Sequence, residues 1–289
     1  MTRVKDHGFP PNGSDRTVGL RFTQHDFDLF AQLSGDDNPI HVDREFAATT
    51  RFGRTVAHGM LLFASANAAI NRWIGGRLNL HEQQLMFPAP TFADEDVALN
   101  LTIQPDHDTT RRRIDFAMTT SLGESCRGRA FVGFDELRPG RSAPAVRPTE
   151  TTLKGLRVGM QAERTRVLSP SHVQTFVELI RDPHPGYSES SPVVPPALLG
   201  GAVSDLLGVS LPGPGSNWLK QVYRFHRHVR SGAGIRSSVT ITRLRPPKNL
   251  VNLQTEVDVD TKPAVSGEAL LLVSDVADRS TAPPPSADG

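Results

Sequence analysis

The chain repeats itself. Phe30, Leu33, Asp36 and Pro39 recur as Phe176, Leu179, Asp182 and Pro185 at a constant offset of 146 (176 − 30). Farther on the offset is 138 (199 − 61), pairing Leu61 with Leu199, Phe87 with Phe225 and Val97 with Ile235, while Gly128 and Ala130 return as Gly267 and Ala269. An ordered series at near-constant spacing marks two copies of one folding unit. The second copy is shorter by 8 residues (146 − 138), and the loss falls around Arg44 to Arg54. Any fold for these 289 residues therefore has to be built twice.

Periodicity says what is built. Arg16 to Phe22 alternates like a strand; Thr23 is then a natural N-cap for a helix carrying Phe27, Phe30 and Leu33 on one side. Gly35 ends that helix and delivers Asp36 to Asn38 into a loop, and Glu45 to Ala48 is a further short helical piece. Gly59 to Trp73 is apolar nearly all round, which places that helix in an interior, with Gly75-Gly76 as its C-cap. Four short β-type runs follow, Gln83 to Phe87, Val97 to Ile103, Arg113 to Thr120 and Arg127 to Phe134. The expected class is α+β, each copy an antiparallel sheet wrapped around a central buried helix. The expected boundaries are a flexible arm at 1–15, a first unit at 16–135, a Pro/Arg/Thr-rich linker at 136–155, a second unit at 156–276 and a disordered tail at 277–289.

Charge and cysteine usage narrow the function classes. With 32 Lys+Arg against 31 Asp+Glu, the net charge of +1 gives no reason to expect nucleic acid or an acidic membrane surface as partner. The single cysteine, Cys126, excludes an intrachain disulfide and fits a reducing compartment. Neither a signal peptide nor a bilayer-length apolar run is present, so a cytoplasmic location is expected.

The chemistry concentrates in Ser34-Gly35-Asp36-Asp37-Asn38-Pro39-Ile40-His41, answered by Val56-Ala57-His58-Gly59-Met60. Asp36 and His41, five apart across a Pro-containing turn, can converge on one water and move its protons as an acid/base pair. Gly59 puts a backbone N–H without a side chain at the positive end of the apolar helix, where developing negative charge is stabilised. The second copy keeps Asp182 and Pro185, but has Tyr187 in place of His41 and Pro196-Ala197 in place of His58-Gly59. One active and one supporting half are expected. A zinc site from His41, Asp43 and His58 matches no established ligand spacing, so no metal is expected.

The run FAQLSGDDNPIHVD from Phe30 to Asp43, with Ala47 to Phe52 and Val56 to Leu62, resembles the hydratase motif of the MaoC-like, R-specific 2-enoyl-CoA hydratases. The resemblance implies a double hot-dog fold and reversible hydration of a trans-2-enoyl-CoA, or of the acyl-carrier-protein thioester, to the (R)-3-hydroxyacyl thioester. It implies Asp36 and His41 as the catalytic pair, Asn38 shaping their loop, Gly59 with His58 at the oxyanion position, and Asn67 as polar support for the acid. No cofactor is implied, and the fused halves would work as a monomer or as a homodimer. In many fused relatives the motif sits in the C-terminal half, so the order here is reversed. Two alternatives remain: a hot-dog thioesterase, although those lack the SGDxNPxH loop, and a non-catalytic acyl-thioester-binding subunit. Arg51, Arg54 and Lys220 are candidates for the CoA phosphates. Gly200 and Gly201 stand where the first copy has Leu62 and Phe63, which suggests either an acyl channel or close helix packing.

Overall fold

A computed structural model describes residues 8–105, 110–141 and 146–279. The chain opens with β1 (Asp15–Arg21), α1 (Gln24–Ser34), the single-turn α2 (Pro39–Val42), α3 (Arg44–Thr49) and the long α4 (Gly59–Ile74). Strands β2 (Asn79–Met86), β3 (Asp96–Ile103), β4 (Arg111–Thr120) and β5 (Gly123–Gly133) follow. After a two-residue hairpin, β6 (Thr152–Leu153) with β7 (Leu156–Arg157), the series recurs. Its members are β8 (Gln161–Val167), α5 (Pro170–Ile180), a 3-10 turn at Pro185–Tyr187, α6 (Pro196–Asp205), β9 (Asn217–Phe225), β10 (Gly234–Arg245), β11 (Leu250–Val259) and β12 (Lys262–Leu272).

All the principal strands join one ten-stranded antiparallel sheet in the order β1-β3-β4-β5-β2-β9-β12-β11-β10-β8. That order reads the same from either end once β8 to β12 are matched with β1 to β5. The halves join where β2 pairs with β9, Gln83 opposite Tyr223 and Leu85 opposite Gln221. The copies share one sheet and bring their central helices, α4 and α6, into contact with each other.

Local chemistry sets the elements. Thr23 closes a capping box with Asp26, and Ser169, the residue at the repeat position, accepts from the His172 N–H at the start of α5. Nearly every residue of α4 is buried, Met60, Phe63 and Ile70 completely, as an all-apolar helix requires. Gly75 ends α4 at φ 79°, a conformation that favours glycine. Along β11 the burial alternates residue by residue, so one face of the sheet lies on the helices and the other in solvent.

Some expectations are changed. The 1–15 arm is not loose where described: Phe9 packs against Phe134 with ring centroids 5.1 Å apart, and Gly13 donates to the Ile103 carbonyl. Within the segment read as linker, Leu153 and its hairpin partner Leu156 are buried, an apolar pair that the surrounding Pro and Thr concealed. At the start of the expected tail Arg279 donates to the Pro212 carbonyl at 2.7 Å. Residues 1–7, 142–145 and 280–289 of these segments lie outside the described residues. Among the described residues no helix is long and apolar enough to cross a membrane.

Candidate active site

The Asp36 loop is fixed from both sides. Gly35, at φ 83°, ends α1 by donating to the Ala31 carbonyl, which turns the chain towards α4. The Arg166 guanidinium of β8 lies against the Cα of Gly35 and donates to the Ser34 carbonyl, so a side chain at position 35 would collide with it. Asn38 then caps α2, its Oδ1 accepting from the Ile40 N–H, with Pro39 in the first helical turn. His41 was expected in the loop; the cap and the proline instead place it on this one-turn helix. Its Nδ1 stands 2.8 Å from the Val56 carbonyl.

Three groups converge there: one ligand-type atom from each of Asp36, His41 and His58 lies within 4.8 Å of the others. A backbone carbonyl only accepts, so its partner nitrogen carries the proton. His41 therefore holds its proton on Nδ1, facing Val56, and leaves the Nε2 lone pair available. His58 donates from Nε2 to the Asp36 carbonyl at 2.9 Å and keeps its lone pair on Nδ1. The two rings stack with centroids 3.8 Å apart. Burial pushes the His41 imidazole below the ordinary histidine value, partly offset by the Asp36 carboxylate and the Val56 carbonyl. Burial, followed by the neighbouring His41, holds His58 well below it. Both rings are neutral near pH 7.

Asp36 is 1% exposed. Its Oδ2 accepts a hydrogen bond from the Ser204 hydroxyl of α6, whereas Oδ1 is buried without a protein partner. Just past α6, a π-helical turn at Leu206–Ser210 turns the Gly208 carbonyl out to accept from Asn38 Nδ2 at 3.1 Å. Nearby, Gly59 opens α4, where Leu61 and Leu62 donate to the His58 carbonyl and the first two amides of the helix precede any intrahelical acceptor. The Phe87 ring occupies the space a side chain at position 59 would need, its Cζ 2.7 Å from an added Cβ.

The sequence-derived candidates thus divide. Asp36, Asn38, His41, His58 and Gly59 assemble. Asn67 does not join them: it lines a cavity of about 30 Å³ together with Asn71, His184 and Tyr187, in the second copy's counterpart of the site. The halves support each other crosswise. Ser204 from α6 reaches Asp36, and Asn71 from α4 reaches Asp182 with bonds of 3.0 and 2.9 Å. About three turns beyond Gly59, α4 therefore serves the other half's acid. At Gly200 and Gly201, where a channel and close packing were both open, neighbouring side chains come close. An added Cβ at Gly200 would lie 2.8 Å from Met60 Sδ, and one at Gly201 2.8 Å from Ser34 Cβ.

The phosphate candidates do not form a cluster of free cations. Arg51 pairs with Asp275 at 4.0 Å, and Arg54 pairs with Glu95 while lying over the Phe92 ring. Lys220 opens on a groove of about 430 Å³ on the solvent face of the sheet, with Arg127 and Arg129, away from Asp36.

Ser204, Gly208 and Arg166 escaped the sequence reading. Ser204 had a signal: a hydroxyl within an apolar helix, at the repeat position of Ala66 (204 − 138). In the second copy, burial raises the Asp182 carboxyl to about 6 and lowers the His184 imidazole to about 4.

Known proteins share this architecture. The profile of the MaoC like domain matches residues 8–124. An (R)-specific enoyl-CoA hydratase of Rhodospirillum rubrum is 30% identical over 127 residues, covering 41% of this chain and 88% of that protein. Another, from Aeromonas caviae, is 34% identical over 92 residues, covering 32% and 69%. Over the whole fold, a Mycobacterium tuberculosis protein described as having a double hotdog fold aligns with a TM-score of 0.68 over 91% of this chain and 96% of its own, at 12% identity. The double hot-dog expected from the sequence is the fold observed.

Proposed function

The chain belongs to the MaoC-like hydratases and dehydratases, and from that premise we propose that it adds water reversibly across a trans-2-enoyl-CoA or acyl-carrier-protein thioester to give the (R)-3-hydroxyacyl thioester. One observation carries this reading: a buried carboxylate with one oxygen, Asp36 Oδ1, free of protein partners lies within 4.8 Å of a neutral imidazole, His41, whose Nε2 lone pair is available.

In this proposal Asp36 Oδ1 and His41 Nε2 hold one water. The water oxygen attacks the β-carbon as its proton passes to the pair, and the pair returns a proton to the α-carbon. Enolate charge on the thioester oxygen is met by the Gly59 N–H at the start of α4, a type of donor worth about 3 kcal/mol in the transition state. Neutral His41 suits the role, because an imidazolium has no lone pair for the water. His58 fixes the loop through the Asp36 carbonyl and the His41 ring by stacking.

The division of labour belongs to the same proposal. The unit at 16–135 supplies the reacting groups, and the unit at 156–276, joined through 136–155, holds the acid through Ser204 and the loop through Arg166 and Gly208. We place the reaction in a reducing cytoplasm, consistent with the single buried Cys126, whose thiol burial pushes far up.

The test is loss of enone absorbance when purified protein meets crotonyl-, octenoyl- and branched enoyl-CoA. Asp36→Asn and His41→Ala are each expected to lower kcat/KM by about 10²–10⁴-fold. Wild-type turnover in both variants refutes the assignment.

A further inference from the structure

We propose that the Asp36–His41–His58 cluster is a binding site for a divalent first-row transition ion such as Zn²⁺ or Co²⁺, and that the ion takes the place of the reacting water and switches the site off. The inhibition rests on the hydratase reading above; the binding does not.

Each of the three residues presents one unused lone pair and has its other polar atom tied down. His41 Nδ1 donates to the Val56 carbonyl and leaves Nε2. His58 Nε2 donates to the Asp36 carbonyl and leaves Nδ1, which is buried without a partner. Asp36 Oδ2 accepts from Ser204 and leaves Oδ1, also buried without a partner. Protein metal sites are held in this way: the far nitrogen of each ligating imidazole donates to a carbonyl or carboxylate, and the ligating carboxylate is itself hydrogen-bonded. Here all three outer bonds are already made.

The donor set selects the ion class. Two neutral imidazoles and one carboxylate suit Zn²⁺, Co²⁺ or Fe²⁺, whereas Mg²⁺ and Ca²⁺ favour all-oxygen sites. Ligands about 2.0–2.2 Å from a metal stand roughly 3.4 Å from one another in tetrahedral geometry. One ligand-type atom of each residue lies within 4.8 Å of the others, so closure takes movements on the order of 1 Å together with a rotation of the His41 ring out of its stack on His58. His41, half-buried on its one-turn helix, is the member placed to make them. No metal was expected from the sequence, where His41, Asp43 and His58 match no established ligand spacing; in the fold Asp43 caps α3 by accepting from the Phe46 N–H at 2.9 Å, and it is Asp36, not Asp43, that lies with the two histidines.

Coordination uses the same Asp36 and His41 lone pairs that would hold the water, so occupancy and turnover exclude each other. The test titrates the full-length, chelator-treated protein with Co²⁺ and follows the visible d–d absorption, then repeats the titration with His58→Gln and His41→Gln. In His58→Gln an amide N–H remains to meet the Asp36 carbonyl while the ligand nitrogen is removed. The expected result is a Co²⁺ band of one-site stoichiometry in the wild type, bleached by Zn²⁺. It should be weakened at least tenfold in apparent affinity in each variant, with circular dichroism showing both folded. In the enoyl-CoA assay Zn²⁺ is expected to inhibit, with full recovery on adding chelator. If the protein turns over enoyl-CoA but shows no band, or a band unchanged in both folded variants, the metal site is refuted and the hydratase reading stands. If the band appears and is lost in the variants but the chelated protein has no turnover on any enoyl thioester, the site stands and the hydratase reading falls. If Zn²⁺ binds at this band without inhibiting, the switch is refuted.

Discussion

Replacing Gly208 with alanine tests how closely the second half governs the acid of the first. Gly208 sits in the π-helical turn after α6, and an added Cβ lies 2.8 Å from Asp36 Oδ1 and 3.2 Å from Asn38 Nδ2. Ordinary van der Waals contact begins near 3.4 Å, so the carboxylate oxygen has to retreat by about 0.6 Å. Ser204 holds the other oxygen, so the group pivots about that bond and carries Oδ1 away from its working position. A misplacement of about 1 Å in a catalytic array costs roughly a hundredfold in rate, so a retreat of about half that corresponds to about tenfold. Stability changes less: alanine gains up to about 1 kcal/mol over glycine in a helix, against about 1–3 kcal/mol for overpacking. Gly208→Ala is therefore expected to lower kcat about tenfold, keep KM within about twofold, and lower Tm by a few degrees at most. Steady-state kinetics at saturating enoyl-CoA and a thermal melt read all three quantities. A kcat within twofold of wild type, at unchanged Tm, refutes the argument that Gly208 leaves room for the reacting carboxylate.

Three other perturbations follow from the geometry. Asp205 is fully buried between Arg164 and Arg166, so Asp205→Ala strips a part-buried Arg166 of its counter-charge; breaking such a pair costs about 3 kcal/mol, and urea denaturation should show the loss. Gly200→Ala combined with Gly201→Ala is expected to lower Tm through the clashes with Met60 and Ser34 and to leave the ratio of octenoyl- to crotonyl-CoA turnover unchanged; a changed ratio would restore the acyl channel. In the second copy two opposed titrations are expected. Asp182, raised from 3.8 to about 6, contributes stability below pH 4 that is lost as pH rises through about 6; His184, lowered from 6.5 to about 4, contributes stability above pH 6.5 that is lost as pH falls through about 4. Each amounts to about 3 kcal/mol, so they nearly cancel in the wild type. Asp182→Asn should leave stability rising from pH 4 to 6.5, and His184→Asn should leave it falling; parallel curves for the two variants would contradict the assignment.

The parts legible in the sequence were those carried by residues close together along the chain. The helix stop at Gly35, the N-cap at Thr23, the interior position of α4 and the two-copy architecture all follow from local patterns of polarity, φ preference and period. So does the convergence of Asp36 with His41, because only one short turn separates them. Asn67 was misplaced for a related reason. Its distance from Gly59 puts it on the expected stretch of α4, but sequence spacing says nothing about which half that face of the helix meets. Gly200 and Gly201 were ambiguous in the same sense: a missing side chain leaves either a void or room for a neighbour, and only the positions of Met60 and Ser34 decide.

The sequence by itself determined that this protein is a duplicated α+β unit with one intact acid/imidazole loop, since repeat, periodicity and turn chemistry are all written in local order. The tertiary structure alone decided what completes that loop. Joining β2 to β9 packs α4 against α6, and that contact brings Ser204 to Asp36 across 168 residues of chain and Gly208 to Asn38 across 170. Separations of that size leave no local pattern, because the bonds exist only once two distant helices share one core. The half that has Tyr187 and Pro196 at the positions of His41 and His58 thus holds Oδ2 of Asp36 and leaves Oδ1 without a protein partner.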